Sequence, residues 1–308
     1  METRKTFFID GRMNSNQSQI YGRLKMGGRY LTYQTLFEWL IKLAVFGMML
    51  SGLLLAYFYF QVNCPKINRV NLASSKIPPE TAITILQISD FHNWQPTGQP
   101  RKLLKQIKHL NPDIVAITGD FVDQKTTDLT NVLSLAQELT QITPHTYFVL
   151  GNHEKANPKT PQLLSGLADC GVRVLKNEHL VWSSDQLAIN ICGVDYPGRI
   201  WAELDRATKG IATEQFTLLL THTPAVIKTP FITRADLVLC GHTHGGQVRL
   251  PFVGAIIAPD QGSWPAYDKG IYQIGHTTLY IDSGLGTSII PVRVLNRCQI
   301  SLLTLTGK

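Results

Sequence analysis

Six short apolar runs punctuate the chain beyond residue 81, and five of them end at a residue able to bind a metal. "AITILQIS" (82–89) leads into Asp90 and His92, and "DIVAIT" (113–118) leads into Asp120. "TYFVL" (146–150) leads into Asn152 and His153, "FTLLL" (216–220) into His222, and "DLVLC" (236–240) into His242 and His244. Runs of this length and composition are strands, and "LAINICG" (187–193) is the sixth. Helical periodicity falls between the early ones, at 101–110, 130–142 and 160–169. Strands alternating with helices specify a layered α/β domain. Its sites collect where strands end. "GIYQIG", "TTLYID" and "CQISLLTL" follow without intervening helices, so a mixed sheet system is expected.

A lone histidine is usually structural, and an aspartate after a strand is usually a turn residue. Five coincidences at five strand ends are not explained that way. The donors are chemically coherent: two Asp, one Asn and four His, with no Cys. Such a set suits Mn, Fe or Zn rather than a thiolate site. Seven ligands exceed the needs of one tetrahedral ion and suit two divalent ions sharing a carboxylate. Two adjacent ions clamp the attacking and leaving oxygens of a phosphoryl displacement. A further imidazole would then protonate the leaving alkoxide. Gly241, Gly245 and Gly246 around His242 and His244 allow close approach of the loop.

The set DxH, GD, GNHE, H and GHTH resembles that of the calcineurin-like metallophosphoesterases. The ending "GHTHGGQVRLPFVG", with "YDKGIY" and "DSGLGTSIIPVRV", resembles their membrane-associated bacterial subgroup. The resemblance covers about 82–306. It implies a four-layer αββα sandwich of two mixed sheets. It also implies roles: Asp90, His92, Asp120 and His244 hold one metal, and Asp120 bridges to a second held by Asn152, His222 and His242. His153 becomes the acid for the leaving group. The implied activity is hydrolysis of a phosphodiester or pyrophosphate bond of a phosphate-ester substrate. Some related membrane enzymes cleave the pyrophosphate of UDP-2,3-diacylglucosamine, so a lipid-linked substrate is one expectation. A phosphomonoesterase or nucleotide phosphodiesterase is an alternative. A cell-wall or membrane binding protein with structural metals is the rival from another class.

Other residues carry weaker signals. Asp195 fits a positioning or a turn role. His109, His145, His179 and His276 have no partner motif and read as structural. Trp201, Trp264 and Tyr267 suit either a substrate groove or packing.

The N-terminal part obeys a different rule. Leu43–Phe60 holds eighteen residues without a charge, and Leu36–Ile41 extends it with one acid. That is about the length a bilayer core demands. The expected division is a basic tail (1–35), a transmembrane helix (36–60), a linker with Pro65, Pro78 and Pro79 (61–81) and a catalytic domain (82–306). Residues 1–42 carry seven basic and three acidic side chains, or 7 − 3 = +4 of the chain's net +7. Only Lys66, Arg69 and Lys76 lie between the helix and the expected domain, so the tail is expected inside and the domain outside the cell membrane. The remaining +3 is no nucleic-acid footprint. Cys170, Cys192, Cys240 and Cys298 sit in or beside apolar runs and read as small buried hydrophobes, a point in favour of a reducing compartment. Cys64, directly after the helix, reads as a thiol or a reversible acylation site.

Overall fold

The structure is a computed structural model that describes residues 23–26, 29–94, 100–196, 200–288 and 290–308. The basic tail expected over 1–35 lies mostly outside these residues. The chain divides into two compact units, Met1–Leu55 and Ala56–Lys308.

The first unit carries most of helix α1 (Tyr33–Asn63). Its apolar side chains are not packed away: Phe37, Phe46, Met49 and Leu53 all stand exposed. A core helix of a soluble domain would bury one face. The helix from Gln34 to Asn63 is long and apolar enough to cross a membrane.

The second unit begins with the last two turns of that helix. Gln61 is buried, and its carbonyl accepts the amide of Cys298 at 2.9 Å. The Trp94 indole donates to the Val62 carbonyl at 3.1 Å, and the Arg297 guanidinium lies 4.2 Å from the Phe60 ring centre. The expected linker over 61–81 is therefore corrected. Pro65 ends the helix, and strand β1 (Lys66–Ser74) follows at once. Its polar alternation hid it from the sequence, because it is an edge strand paired on one side only.

The remaining strands follow in order: β2 (Ala82–Ile88), β3 (Ile114–Thr118), β4 (Thr146–Val149), β5 (Arg173–Val174), β6 (Glu178–Ser183) and β7 (Ala188–Val194). Then come β8 (Phe216–Thr221), β9 (Leu237–Cys240), β10 (Gly270–Ile274), β11 (Thr277–Ile281) and β12 (Gln299–Gly307). The helices are α2 (Pro100–Leu110), α3 (Thr130–Ile142), α4 (Asn152–Ala156), α5 (Thr160–Asp169) and α6 (Ile200–Thr208). One six-stranded sheet runs β1-β12-β2-β3-β4-β5, and the other runs β10-β11-β9-β8-β7-β6. Both are mixed. In the first, β2 to β5 are parallel and β12 is antiparallel to β2. In the second, β7, β8, β9 and β11 are parallel, with antiparallel β6 and β10 at the edges.

Strand periodicity sorts the side chains into layers. Ile83, Ile85, Ile114 and Ala116 face Ile189, Ile191, Leu218 and Leu239 between the sheets. The alternate residues Leu86, Ile88, Val115 and Ile117 pack under α2, α3 and α5. Cys192, Leu219 and Val238 pack under α6 and the turns after β8. The result is the expected four-layer αββα sandwich. Burial on both faces explains why these strands read as unbroken apolar runs. Cys192, Cys240 and Cys298 are buried free thiols, as the sequence suggested, while Cys64 and Cys170 are half-buried.

Candidate metal centre

The parallel strands β2, β3, β4, β8 and β9 bring their carboxyl ends together, and the seven candidate ligands meet there. Five of them, Asp90, His92, Asp120, His242 and His244, hold positive φ between 49° and 70°. Side chains with a Cβ rarely adopt that conformation, and such strain gathers at functional sites. The glycines beside them meet a different demand. A Cβ on Gly241 would fall 2.2 Å from an Asp90 carboxylate oxygen, and one on Gly151 would fall 2.1 Å from Asp120 Oδ1.

Two sets of donors share Asp120. In the first, His222 Nε2 lies 3.1 Å from Asp120 Oδ2, from Asn152 Oδ1 and from His242 Nδ1. His222 Nδ1 lies 2.8 Å from the Thr118 carbonyl, so it carries the proton and leaves Nε2 a bare lone pair. His242 Nε2 donates in the same way to Asp260 Oδ2 at 2.8 Å, which leaves Nδ1 bare. Four donor atoms thus converge when the His222 ring is neutral, with no proton among them unless His222 takes one up on Nε2. That arrangement is repulsive unless positive charge lies between them. In the second set, His92 Nε2 and His244 Nε2 are 3.2 Å apart. Asp90 Oδ1 lies 3.5 Å from His244 Nε2, and Asp120 Oδ2 lies 3.7 Å from His92 Nε2.

The acid–base balance carries the same message. Burial opposes charge on His222, yet Asp120, by charge and hydrogen bond, lifts its pKa to about 10. Burial also works against the Asp120 carboxylate. His222, His92 and His153 outweigh it and hold the group well below the usual carboxylate range. Burial lowers His92 to about 4, and burial with help from His92 and Arg293 holds His244 well below the usual imidazole range. Both are therefore neutral imidazoles, the form that binds metals. Asp90–His92–His244, His92–Asp120–His153 and Asp120–His222–His242 are each close enough to hold an ion.

His153 stands apart from the other imidazoles. Its side chain is 15% exposed, against 0–6% for the other four histidines of the cluster. The amide of Gln124 donates to its Nδ1 at 3.1 Å, so the neutral ring carries its proton on Nε2. Asp123 Oδ2 lies 3.7 Å from Nδ1, and Asp120 Oδ2 lies 3.9 Å from Nε2.

Three supporting residues had no assigned role in the sequence. Glu154 is fully buried, and its carboxylate accepts the amides of Asp120, Phe121, Val122 and Gly151 at 2.7–3.0 Å. Burial and the Asp120 charge push its pKa up to about 7, while the amide donors favour the ionised form. It therefore fixes the loop that carries Asp120 to the turn that carries Asn152. The signal was present: a Glu at the third position of a helix commonly reaches back to the amide before it. Asp260 orients His242, and no local pattern announced it. Arg293 is fully buried and donates to the carbonyls of Ser283, Gly284, Gly286 and Asn296. That pins the segment beside Asp90 and His92.

The other candidates fall elsewhere. Asp195 uses its amide on Asn177 Oδ1 and takes no part in the cluster. His109, His179 and His276 hydrogen-bond to carbonyls of Lys105, Ala207 and Thr233, and His145 packs edge-on against Trp182. Trp201 and Trp264 are exposed, and Tyr267 packs on Tyr272.

The model of the calcineurin-like phosphoesterase family matches residues 83–246, the span that contains all seven candidate ligands. An uncharacterized metallophosphoesterase of Aquifex aeolicus is 31% identical over 272 residues, covering 85% of this chain and 99% of that protein. The uncharacterized metallophosphoesterase YkuE of Bacillus subtilis is 30% identical over 255 residues, covering 80% of this chain and 87% of its own. A Danio rerio transmembrane protein with metallophosphoesterase domain is 29% identical over 261 residues, which is 78% of this chain. The chain spans only 57% of the length of that relative. With the ligand motifs inside the matched span and the αββα sandwich around them, the chain belongs to the calcineurin-like phosphoesterase family.

Proposed function

We infer that the protein is a membrane-anchored, dinuclear metal-dependent phosphohydrolase that cleaves a phosphodiester or pyrophosphate bond of a lipid-linked substrate. The observation that carries this reading is the convergence of Asp120, Asn152, His222 and His242 lone pairs at 3.1 Å. In it Asp90, His92, Asp120 and His244 hold one ion, and Asp120, Asn152, His222 and His242 hold the other. Oxygen and imidazole donors suit Mn, Fe or Zn. Divalent ions bound there lower the pKa of water and stabilise charge on phosphoryl oxygens. The chain's own residues do the rest. Asp120 ties the two ligand sets together, and Glu154 holds the Asp120 loop in register. Water attacks phosphorus and releases a proton to solvent, the bond to the leaving oxygen breaks, and His153 in its imidazolium form donates its Nε2 proton to that oxygen and is left neutral. Solvent at the exposed ring then restores the proton.

The test uses the full chain purified without chelator and saturated with Mn. Elemental analysis should approach two ions per chain, and bis-p-nitrophenyl phosphate should be hydrolysed until chelator is added. A plateau at one ion removes the bridging role of Asp120. Two ions without hydrolysis of any diester or pyrophosphate favour a binding protein with structural metals.

Two further outcomes follow from the same reading. Asp260→Ala should weaken metal binding about 10–100-fold, the usual effect of removing a carboxylate that orients a ligand histidine. Metal titration of the stripped variant by calorimetry measures it, and unchanged affinity would make Asp260 a bystander. For topology, the tail's +4 supports a domain outside the membrane. A C-terminal alkaline phosphatase fusion should then be active and a fluorescent-protein fusion dark; the reverse pair puts the domain in the cytoplasm.

A further inference from the structure

Beside the candidate centre lies a cavity of about 290 Å³, walled by Gly246, Val248, Ile257, Ala258, Ile290 and Val292, with His244 also in its lining. The volume is roughly twice that of an engineered apolar cavity that takes up benzene. Two of the polar side chains nearby are already committed. Gln247 donates from Nε2 to the carbonyls of Ile290 and Val292 at 2.7 and 3.2 Å and accepts the Ser288 amide at 2.7 Å. The Thr243 hydroxyl donates to the Asp268 carbonyl at 2.6 Å. The cavity therefore offers a ligand mainly aliphatic surface.

Its rim is apolar as well. Ile257 and Ile290 are 59% and 62% exposed. Next to them the hairpin of Arg249–Leu250 and Gly254–Ala255 lifts Phe252 fully into solvent, with Val253 beside it. A cluster of large exposed apolar side chains marks an interaction surface.

The same wall leads to the helix that can cross the membrane. The Val294 amide donates to the Gln247 carbonyl at 3.0 Å, and the Leu295 amide donates to the Tyr57 hydroxyl at 2.8 Å. From Val292 to Leu295 the chain extends at most about 11 Å. Tyr57 meets Leu295, and Phe60 and Gln61 meet Arg297 and Cys298 just beyond it, so the segment that leaves the cavity wall is stitched to the last turns of the helix. On the other side of Pro259 lies a second cavity of about 420 Å³, whose lining includes Lys228, Gln261 and Trp264.

The geometry points to a hydrocarbon-chain site: the cavity between Val248, Ile257, Ile290 and Val292 receives one acyl or polyprenyl chain of the substrate, with its phosphate towards His244. This assignment rests on the phosphohydrolase reading and specifies how that site selects a lipid substrate.

The test uses the full chain in lipid nanodiscs, loaded with Mn, and a series of alkyl p-nitrophenyl phosphodiesters from methyl to octyl. A fully buried methylene is worth about fourfold in binding, so seven added methylenes at a quarter of that efficiency give about tenfold. Longer esters also concentrate in the bilayer, and that gain is common to wild type and variants. The reading is therefore the octyl-to-methyl ratio of kcat/KM within each protein, which also cancels any general loss of activity. Val292→Trp, which fills the cavity, should lower that ratio by up to about tenfold relative to wild type. Ile257→Asp, at an exposed rim position, should lower it too and serves if the tryptophan variant fails to fold. Equal ratios in wild type and a folded variant overturn the chain site and leave the phosphohydrolase reading standing. Failure of the wild type to cleave even the methyl diester sinks that reading, and the chain site with it.

Discussion

Replacing Asp120 by alanine is expected to abolish turnover and strip metal from both ligand sets. Its Oδ2 faces His222 Nε2 at 3.1 Å on one side and His92 Nε2 at 3.7 Å on the other. It belongs to two of the three residue groups that could hold an ion. Loss of its charge therefore weakens both ions together, where loss of any histidine weakens one. Metals at such centres supply several kcal/mol of transition-state stabilisation, and each 1.36 kcal/mol is a factor of ten. The fall in kcat should be about 10³-fold or more, with metal content dropping from two ions to one or none. Asp120→Asn is the sharper control. It keeps the shape and an oxygen for the His153 amide, which Oδ1 now accepts at 2.9 Å, while removing the charge. A comparable loss with asparagine assigns the effect to charge rather than packing. Because His222, His92 and His153 stabilise the buried carboxylate, its neutral replacement should also lower the melting temperature of the metal-free protein at neutral pH, so metal content and kcat are compared in variants shown to be folded. Two tightly held ions in Asp120→Ala, with kcat within tenfold of wild type, would end the bridging assignment.

The sequence made the strand ends legible because two rules coincide there. Strands buried on both faces are unbroken apolar runs, so their ends are sharp, and the candidate ligand side chains cluster just beyond them. What long-range pairing decides was not legible. β1 was read as linker because its alternation is that of an edge strand, and its partner β12 lies more than two hundred residues away. The insertion of β12 between β1 and β2 has no local signature at all. The same limit applies to the supports of the centre. Asp260 reaches His242 from a loop eighteen positions on, and Arg293 works by capping carbonyls seven to ten residues before it. Neither contact leaves a spacing to recognise. The positive φ of Asp90, His92, Asp120, His242 and His244 was equally hidden, since only glycine advertises that conformation in a sequence.

His153→Ala should separate metal binding from proton transfer. His153 sits with His92 and Asp120 in a group close enough to hold an ion, so geometry alone admits it as a ligand. Its hydrogen bonding argues otherwise. The Gln124 amide occupies Nδ1 at 3.1 Å, which puts the proton of the neutral ring on Nε2, and a protonated nitrogen donates to a leaving group but cannot coordinate. Its greater exposure keeps that nitrogen within reach of a substrate and of solvent. The variant should therefore retain both ions by elemental analysis. With an alkoxide leaving group, kcat should fall by about 10²–10⁴, the range for loss of a general acid. With p-nitrophenolate, which departs without a proton, much of the loss should vanish. A plot of log kcat/KM against leaving-group pKa should accordingly be steeper for the variant than for wild type. A uniform loss across all leaving groups, or a variant that binds one ion fewer, would show His153 to be a ligand and return the question of the proton donor to the water around the centre.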